Sequence, residues 1–132
     1  MMTRLWPLIL VGVGGFLGAN ARYLSARWVD AAIGGRFPLG TFLINVSGSF
    51  LLGLLGGVLA SRIVPSADSL RLALGVGCLG AFTTFSTFEF ETHALLEDGI
   101  WWSAVANIVL SVVVGLMAVR AGVVLAKAWF GG

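Results

Sequence analysis

A short run of hydroxyl and phenyl side chains is the most chemically suggestive part of this chain. Residues 77–88 read Gly-Cys-Leu-Gly-Ala-Phe-Thr-Thr-Phe-Ser-Thr-Phe and end an uncharged stretch over residues 72–88. Thr, Ser and Phe are weaker helix formers than Leu or Ala, and hydroxyl side chains compete with the helix for backbone hydrogen bonds. We therefore expect a helix to break here. In a membrane, a break is tolerated only where the freed backbone groups are buried in protein or line a wet cavity, so this run indicates an ion-binding site.

The composition places this run inside a membrane protein. Apolar residues make up 58% of the 132 residues and charged residues only 11%, whereas a soluble domain has about 25% charged residues. A membrane-spanning helix needs roughly 17 to 25 mostly apolar residues. Four uncharged runs approach or reach that length: residues 5–21, 37–61, 72–88 and 100–119. We therefore predict an all-α integral membrane protein with one domain over residues 1–132 and four transmembrane helices, the third broken near its middle.

Several kinds of chemistry are not expected from this composition. Cys78 is the only cysteine, so the chain cannot form an internal disulfide, and a net charge of +2 is too small and too scattered to indicate a nucleic-acid partner. Glu89 and Glu91 are two residues apart and point to different sides of a helix, so they cannot act as a catalytic pair. His93 is the only histidine and has no companion for a metal site or a triad. We do not expect an enzyme, and we place Glu91 and His93 at the membrane interface, with an exit path as the alternative for Glu91.

Polar side chains inside the predicted spans leave two interpretations open. Asn45 is costly in lipid unless it is paired, so it either bonds a neighbouring helix or faces a wet path. Asn107 and Ser111 are four residues apart and share one helix face, where they form either a helix-to-helix hydrogen bond or a short polar track. Arg22 lies near the end of the first span, where it either reaches the headgroups or attracts anions into a vestibule.

Small residues recur at four-residue spacing in the first two spans. Gly14 and Gly18 form one such stripe, and Ser49, Gly53 and Gly57 form a second. Such stripes let membrane helices approach closely, so they predict packing faces. Basic residues flank the spans on both sides, and this weak positive-inside bias is compatible with insertion in both orientations and with an antiparallel pair of chains.

Three segments together resemble one family of membrane proteins. Residues 14–23 read Gly-Gly-Phe-Leu-Gly-Ala-Asn-Ala-Arg-Tyr, residues 40–48 read Gly-Thr-Phe-Leu-Ile-Asn-Val-Ser-Gly, and residues 80–88 read Gly-Ala-Phe-Thr-Thr-Phe-Ser-Thr-Phe. These segments, their order along the chain, the length of the chain and the number of its spans resemble those of the Fluc (CrcB) fluoride channels. The chain departs from the pattern at Ala81, where many members carry a second glycine, and at Asn107, where relatives carry other polar residues such as tyrosine.

The resemblance implies a fluoride-selective passive channel that exports fluoride across the lipid bilayer of the bacterial inner membrane. It implies an antiparallel, dual-topology homodimer with two fluoride pores and a structural sodium ion held by the main-chain carbonyls of Gly80 and Thr83. Phe85 and Phe88 are the implied pore phenylalanines, with Asn45 nearby as a hydrogen-bond donor and Arg22 in the vestibule. The candidates for the polar track are Thr84, Ser86, Thr87, Asn107 and Ser111.

Two other functions compete with a channel. A small dual-topology multidrug transporter also has four helices in about this length, but it couples to protons through a buried carboxylate, and residues 5–29 contain no Asp or Glu. A structural membrane subunit would explain the glycines but not the threonine and phenylalanine run. Phenylalanine rings carry positive edges that could meet an anion without binding it firmly, and conduction requires such weak, serial sites.

Overall fold

The computed structural model describes residues 2–61 and 66–130, and these residues are helical with no strand among them. Four helical spans are long and apolar enough to cross a membrane: Leu5–Ile33, Leu39–Ala60, Ala67–Glu97 and Trp101–Phe130. The prediction of an all-α protein with four membrane-spanning helices is confirmed. The first, second and fourth spans belong to single helices, α1 (Met2–Ile33), α2 (Leu39–Ala60) and α6 (Trp101–Phe130).

The third span is assembled from several pieces. It begins with α3 (Ala67–Leu70), continues as a π-helix (Arg71–Leu79) and ends its first half with α4 (Gly80–Phe82). The second half is α5 (Phe85–Glu97). Between the halves, Thr83 has ψ of 154° and Thr84 has φ of −149° and ψ of 114°, so the backbone is extended over these two residues. The break therefore lies inside the hydroxyl and phenyl run, where the sequence predicts it.

The helix α1 is longer than the uncharged run that predicts the first span. It continues past Arg22 and Arg27 to Ile33 and stops where Gly34 takes a φ of 63°. A left-handed glycine is a common helix stop, because glycine adopts positive φ without a steric penalty. Charged side chains end an apolar run, but they do not interrupt the backbone hydrogen bonds of a helix. The helix therefore extends beyond the apolar run.

The helix α1 packs against the π-helix through backbone rather than side chains. A Cβ atom added to Gly14 would meet the carbonyl oxygen of Ala73, and one added to Gly18 would meet the carbonyl oxygen of Cys78. From the other side, a Cβ on Gly77 would lie 2.7 Å from a backbone oxygen of α1. The first predicted packing stripe is confirmed, since only glycine permits this approach.

The spacing of these contacts fits the π-helix. Gly14 and Gly18 are separated by four residues, the hydrogen-bond span of an α-helix, whereas Ala73 and Cys78 are separated by five, the hydrogen-bond span of a π-helix. Successive turns of the two helices therefore make equivalent contacts. The sequence did not predict the π-helix.

The second stripe packs α2 against α6. A Cβ on Gly53 would meet the backbone of Val119, and one on Gly57 would meet the side chain of Ala126. In return, Gly122 of α6 lies against the backbone of α2, where an added Cβ would be 2.6 Å from the amide nitrogen of Leu54. These two helix pairs, α1 with the π-helix and α2 with α6, hold the break between them.

Candidate pore site at the helix break

Asn45 of α2 pairs with the backbone of the break. Its Oδ1 accepts a hydrogen bond from the Thr84 amide at 2.8 Å, and its Nδ2 donates to the Thr84 carbonyl oxygen at 3.1 Å. One side-chain amide thus satisfies both polar groups of one extended residue, as a neighbouring strand would. Of the two interpretations that the sequence left open, the hydrogen bond to a neighbouring helix is present. Asn45 also lines the groove described below.

Thr84 caps the second half of the third span. Its Oγ1 accepts from the Thr87 amide at 3.3 Å and donates to Thr87 Oγ1 at 2.9 Å. A threonine hydroxyl that accepts from the amide three residues on is a standard way to satisfy the free amides at a helix start. Both threonines were predicted to lie in a polar track, and this capping contact was not predicted, although a threonine at the start of a new helix is a recognisable signal.

The break releases carbonyl oxygens from the helical ladder, and those of Gly80 and Thr83 are among them. In a continuous α-helix, the Gly80 oxygen would accept from the Thr84 amide and the Thr83 oxygen from the Thr87 amide. Here the Thr84 amide donates to Asn45 and the Thr87 amide donates to the Thr84 hydroxyl. The oxygens of Gly80 and Thr83 therefore lose the donors that a continuous helix supplies. Gly80 is exposed on the single chain and Thr83 is half-buried.

Arg22 turns towards the break. Its Nε donates to the Ala81 carbonyl oxygen at 3.1 Å, so the guanidinium supports another backbone oxygen near the end of α4. The rest of the side chain lines a cleft shared with Thr87 and Glu91. The positive charge thus lies within the protein next to the break, and its role in a vestibule stays a prediction.

An open groove runs beside the break and collects most of the predicted site residues. The two rings of Phe85 and Phe88 have centroids 5.6 Å apart and planes inclined by 41°. Phe88 is 7% exposed, whereas Phe85 is 73% exposed and projects from the single chain. Six of the predicted residues line the groove: Asn45, Thr83, Thr84, Phe85, Phe88 and Ser111.

Three residues of the predicted polar track lie elsewhere. Ser86 is exposed and does not line the groove, and Thr87 lines the neighbouring cleft with Arg22. Asn107 is only 1% exposed and lies behind Ser111 rather than on the groove wall. The polar track predicted from the sequence is therefore divided between the groove, the cleft and the buried contact between α5 and α6.

A chain of hydrogen bonds connects the groove to this buried contact. Ser111 Oγ donates to Asn107 Oδ1 at 3.3 Å, Asn107 Nδ2 donates to Thr92 Oγ1 at 2.8 Å, and Thr92 Oγ1 donates to the Phe88 carbonyl oxygen at 2.7 Å. Thr92 is buried and was missed by the sequence analysis. Its position four residues after Phe88, on the same helix face, was the available signal.

Comparison with known proteins identifies the family. The family described as CrcB-like protein, Camphor Resistance (CrcB), matches residues 9–123 of the chain. The chain belongs to the CrcB family. The match includes the two predicted glycine stripes, the break and every candidate site residue.

Curated relatives of this CrcB chain carry one name, fluoride-specific ion channel FluC. The protein from Solibacter usitatus is 44% identical over 119 residues, which cover 90% of this chain and 97% of the relative. The protein from Anaeromyxobacter sp. (strain K) is 47% identical over 126 residues, or 95% of this chain and 98% of the relative. The protein from Geobacter sulfurreducens is 45% identical over 120 residues, or 91% of this chain and 96% of the relative. With its four spans and this family, the chain is a multi-pass membrane protein.

One further polar contact in the CrcB chain lies on the side of the break away from the groove. Thr41 Oγ1 of α2 donates to Glu91 Oε1 at 2.9 Å, while Glu91 Oε2 is buried and has no hydrogen-bond partner among the described residues. Glu91 is therefore half-buried against α2, whereas His93 on the same helix is exposed. Glu91 lies in the cleft beside Arg22, and its placement at the membrane interface, with an exit path as the alternative, stays a prediction.

Proposed function

We propose that this protein is a fluoride-selective passive channel. It lets fluoride leave the cell across the bacterial inner membrane and so lowers the toxicity of fluoride in the cytoplasm. The observation that carries this proposal is the groove, in which a broken helix held by Asn45 brings two phenylalanine rings beside hydroxyl and amide groups. The family membership and the names of the relatives support the same function.

The groove offers an anion two kinds of weak contact. Fluoride is small and holds its water tightly, so a pore must replace that water with hydrogen-bond donors and positive surfaces. The edges of the Phe85 and Phe88 rings are positive, and the Nδ2 group of Asn45, which has two hydrogens and gives one to Thr84, can supply a donor. Neither contact is a full charge, so an ion can leave as readily as it enters, which conduction requires.

An antiparallel homodimer would complete the pores. On the single chain the groove is open and Phe85 is 73% exposed, although a phenylalanine at the wall of a pore needs protein on its far side. A second copy in the opposite orientation would supply that wall. Two equivalent grooves would then give two pores per dimer, and the outer leucine, valine and phenylalanine side chains would contact the lipid bilayer.

The break also fits a structural sodium ion. Hard cations prefer oxygen ligands, and the oxygens of Gly80 and Thr83 have lost their helical donors without leaving the protein. In a dimer, these two oxygens from each subunit would hold the ion and pin the two breaks together. The ion would supply positive charge at this point.

A proton-coupled multidrug-type transporter is the alternative. It is favoured by one observation, the buried Oε2 atom of Glu91, which has no hydrogen-bond partner in the part of the chain that the structure describes, because such transporters need a carboxylate within the membrane. The two functions differ in their driving force: a channel conducts down the electrochemical gradient of fluoride, whereas the transporter needs a proton gradient.

The deciding experiment measures anion efflux from proteoliposomes that contain the purified protein. Vesicles loaded with fluoride or with chloride are compared, with potassium and valinomycin to clamp the voltage and no proton gradient. We expect rapid loss of fluoride while chloride is retained. Export that appears only with an imposed proton gradient would favour the transporter, and no flux of either anion from folded, dimeric protein would overturn the channel.

A further inference from the structure

The hydrogen-bond chain behind the groove has a direction. Ser111 donates its only proton to Asn107 Oδ1, Asn107 donates to Thr92, and Thr92 donates to the Phe88 carbonyl oxygen. Every donor in the chain thus points away from the groove. Ser111 lines the groove, but in this arrangement it presents its oxygen lone pairs there. That end of a hydroxyl repels an anion.

The same three side chains can be connected in the opposite direction. A side-chain amide has an acceptor and a donor of nearly equal size, so turning the Asn107 amide over exchanges Oδ1 and Nδ2 without changing its packing. Thr92 would then donate to Asn107 Oδ1, and Asn107 Nδ2 would donate to Ser111 Oγ. The Ser111 proton would be released towards the groove.

Reversing the direction of the hydrogen-bond chain breaks one hydrogen bond and allows another to form. The chain loses one neutral hydrogen bond, from Thr92 to the Phe88 carbonyl oxygen, which belongs to the helical ladder of α5 as well. It gains a hydrogen bond from Ser111 to any anion in the groove. Hydrogen bonds to ionised acceptors are about twice as strong as neutral ones, so an anion favours the reversed chain, and water in the groove favours it less.

We propose that Asn107 and Thr92 are positioning residues that control which end of the Ser111 hydroxyl faces the groove, and that fluoride selects the reversed chain. This inference rests on the proposed channel function. Asn107 and Thr92 do not touch the ion. They act through Ser111, and their effect appears in the fluoride concentration that half-saturates the channel.

Replacing Thr92 with valine tests the direction of the chain. Valine has the shape of threonine but no hydroxyl, so Ser111 Oγ becomes the remaining acceptor in the chain for the Asn107 amide hydrogens. The chain is then fixed in the reversed direction before fluoride enters. We expect the half-saturating fluoride concentration to fall about fivefold, the factor that corresponds to one neutral hydrogen bond. Thr92→Ser keeps the hydroxyl and should keep the half-saturating fluoride concentration of the unmodified protein.

The measurement is the initial rate of fluoride efflux against fluoride concentration for Thr92→Val, Thr92→Ser, Ser111→Ala and the double variant Thr92→Val with Ser111→Ala. If Thr92 acts through Ser111, the double variant behaves like Ser111→Ala alone. A purely structural role for Thr92 would instead shift the double variant as well.

The outcomes separate this inference from the channel function. Fluoride conduction by the unmodified protein with no change in Thr92→Val, or with a change that persists without the Ser111 hydroxyl, overturns the inference and leaves the channel intact. No fluoride conduction by the unmodified protein overturns both. If Thr92→Val does not assemble, Thr92→Ala removes the same hydroxyl with less side chain, and its result decides by the same criteria.

Discussion

Replacing Asn45 with leucine tests whether the amide holds the break. Leucine has a similar volume, but it removes both hydrogen bonds to Thr84, at 2.8 Å and 3.1 Å. Hydrogen bonds between membrane helices average about 0.6 kcal/mol, whereas a buried backbone group left without a partner costs about 1 to 3 kcal/mol. Because Thr84 is half-buried and loses partners for two groups, we expect a total of about 2 kcal/mol. This corresponds to a roughly 30-fold change in the folding equilibrium.

The assay combines thermal denaturation of the purified protein in detergent with fluoride efflux from proteoliposomes. Asn20→Leu is the matched control, because Asn20 is exposed and donates only to the Phe16 carbonyl oxygen of its own helix. We expect Asn45→Leu to lower the melting temperature and to slow efflux, and Asn20→Leu to change neither. An Asn45→Leu protein that melts and conducts like the unmodified one would refute the pairing of Asn45 with the break as a source of stability.

Three further results are expected. Isoleucine at Phe85 or at Phe88 should greatly reduce fluoride efflux while the protein still assembles, since it removes a ring edge from the groove, and unchanged efflux in both variants would exclude the rings from conduction. Gly18→Ala should destabilise the protein because its methyl group meets the Cys78 backbone, whereas Gly12→Ala, with open space around its Cβ position, should have little effect; equal melting temperatures would contradict the packing of α1 on the π-helix. Transfer of the purified protein from sodium to N-methylglucamine buffers should lower its melting temperature, and a protein equally stable in both would count against the structural cation.

The features set by composition and local propensity could be predicted from the sequence. Four long apolar runs can only be buried in lipid as helices, because every backbone group there must be satisfied within the segment. The hydroxyl and phenyl run predicted the break because its residues are weak helix formers, and the extended backbone of Thr83 and Thr84 lies within it. Gly14 and Gly18 predicted a packing face because small residues at that spacing have one common use in membranes.

The features that depend on a distant partner could not be predicted. The residues of Arg71–Leu79 did not predict a π-helix, and the glycines that contact it, Gly14 and Gly18, lie more than 50 positions earlier in the chain. The position of Thr92 relative to Phe88 was a local signal, but its hydrogen bond with Asn107, 15 residues later, could not be predicted. The hydrogen bond between Thr41 and Glu91 could not be predicted for the same reason, since only the packing of α5 on α2 places Thr41 beside the carboxylate.

The carbonyl oxygens of Gly80 and Thr83 at the break belong to the main chain, so no substitution deletes them. A saturation mutagenesis screen scored by growth in fluoride would therefore underreport Gly80 and Thr83, where many exchanges leave the oxygen in place. The strongest phenotypes would appear instead at Asn45 and Arg22, the side chains that orient this backbone from other helices. In such a map, tolerant positions at the break would be those that contribute only main-chain atoms. Sensitive positions would be those whose side chains hold that main chain in place.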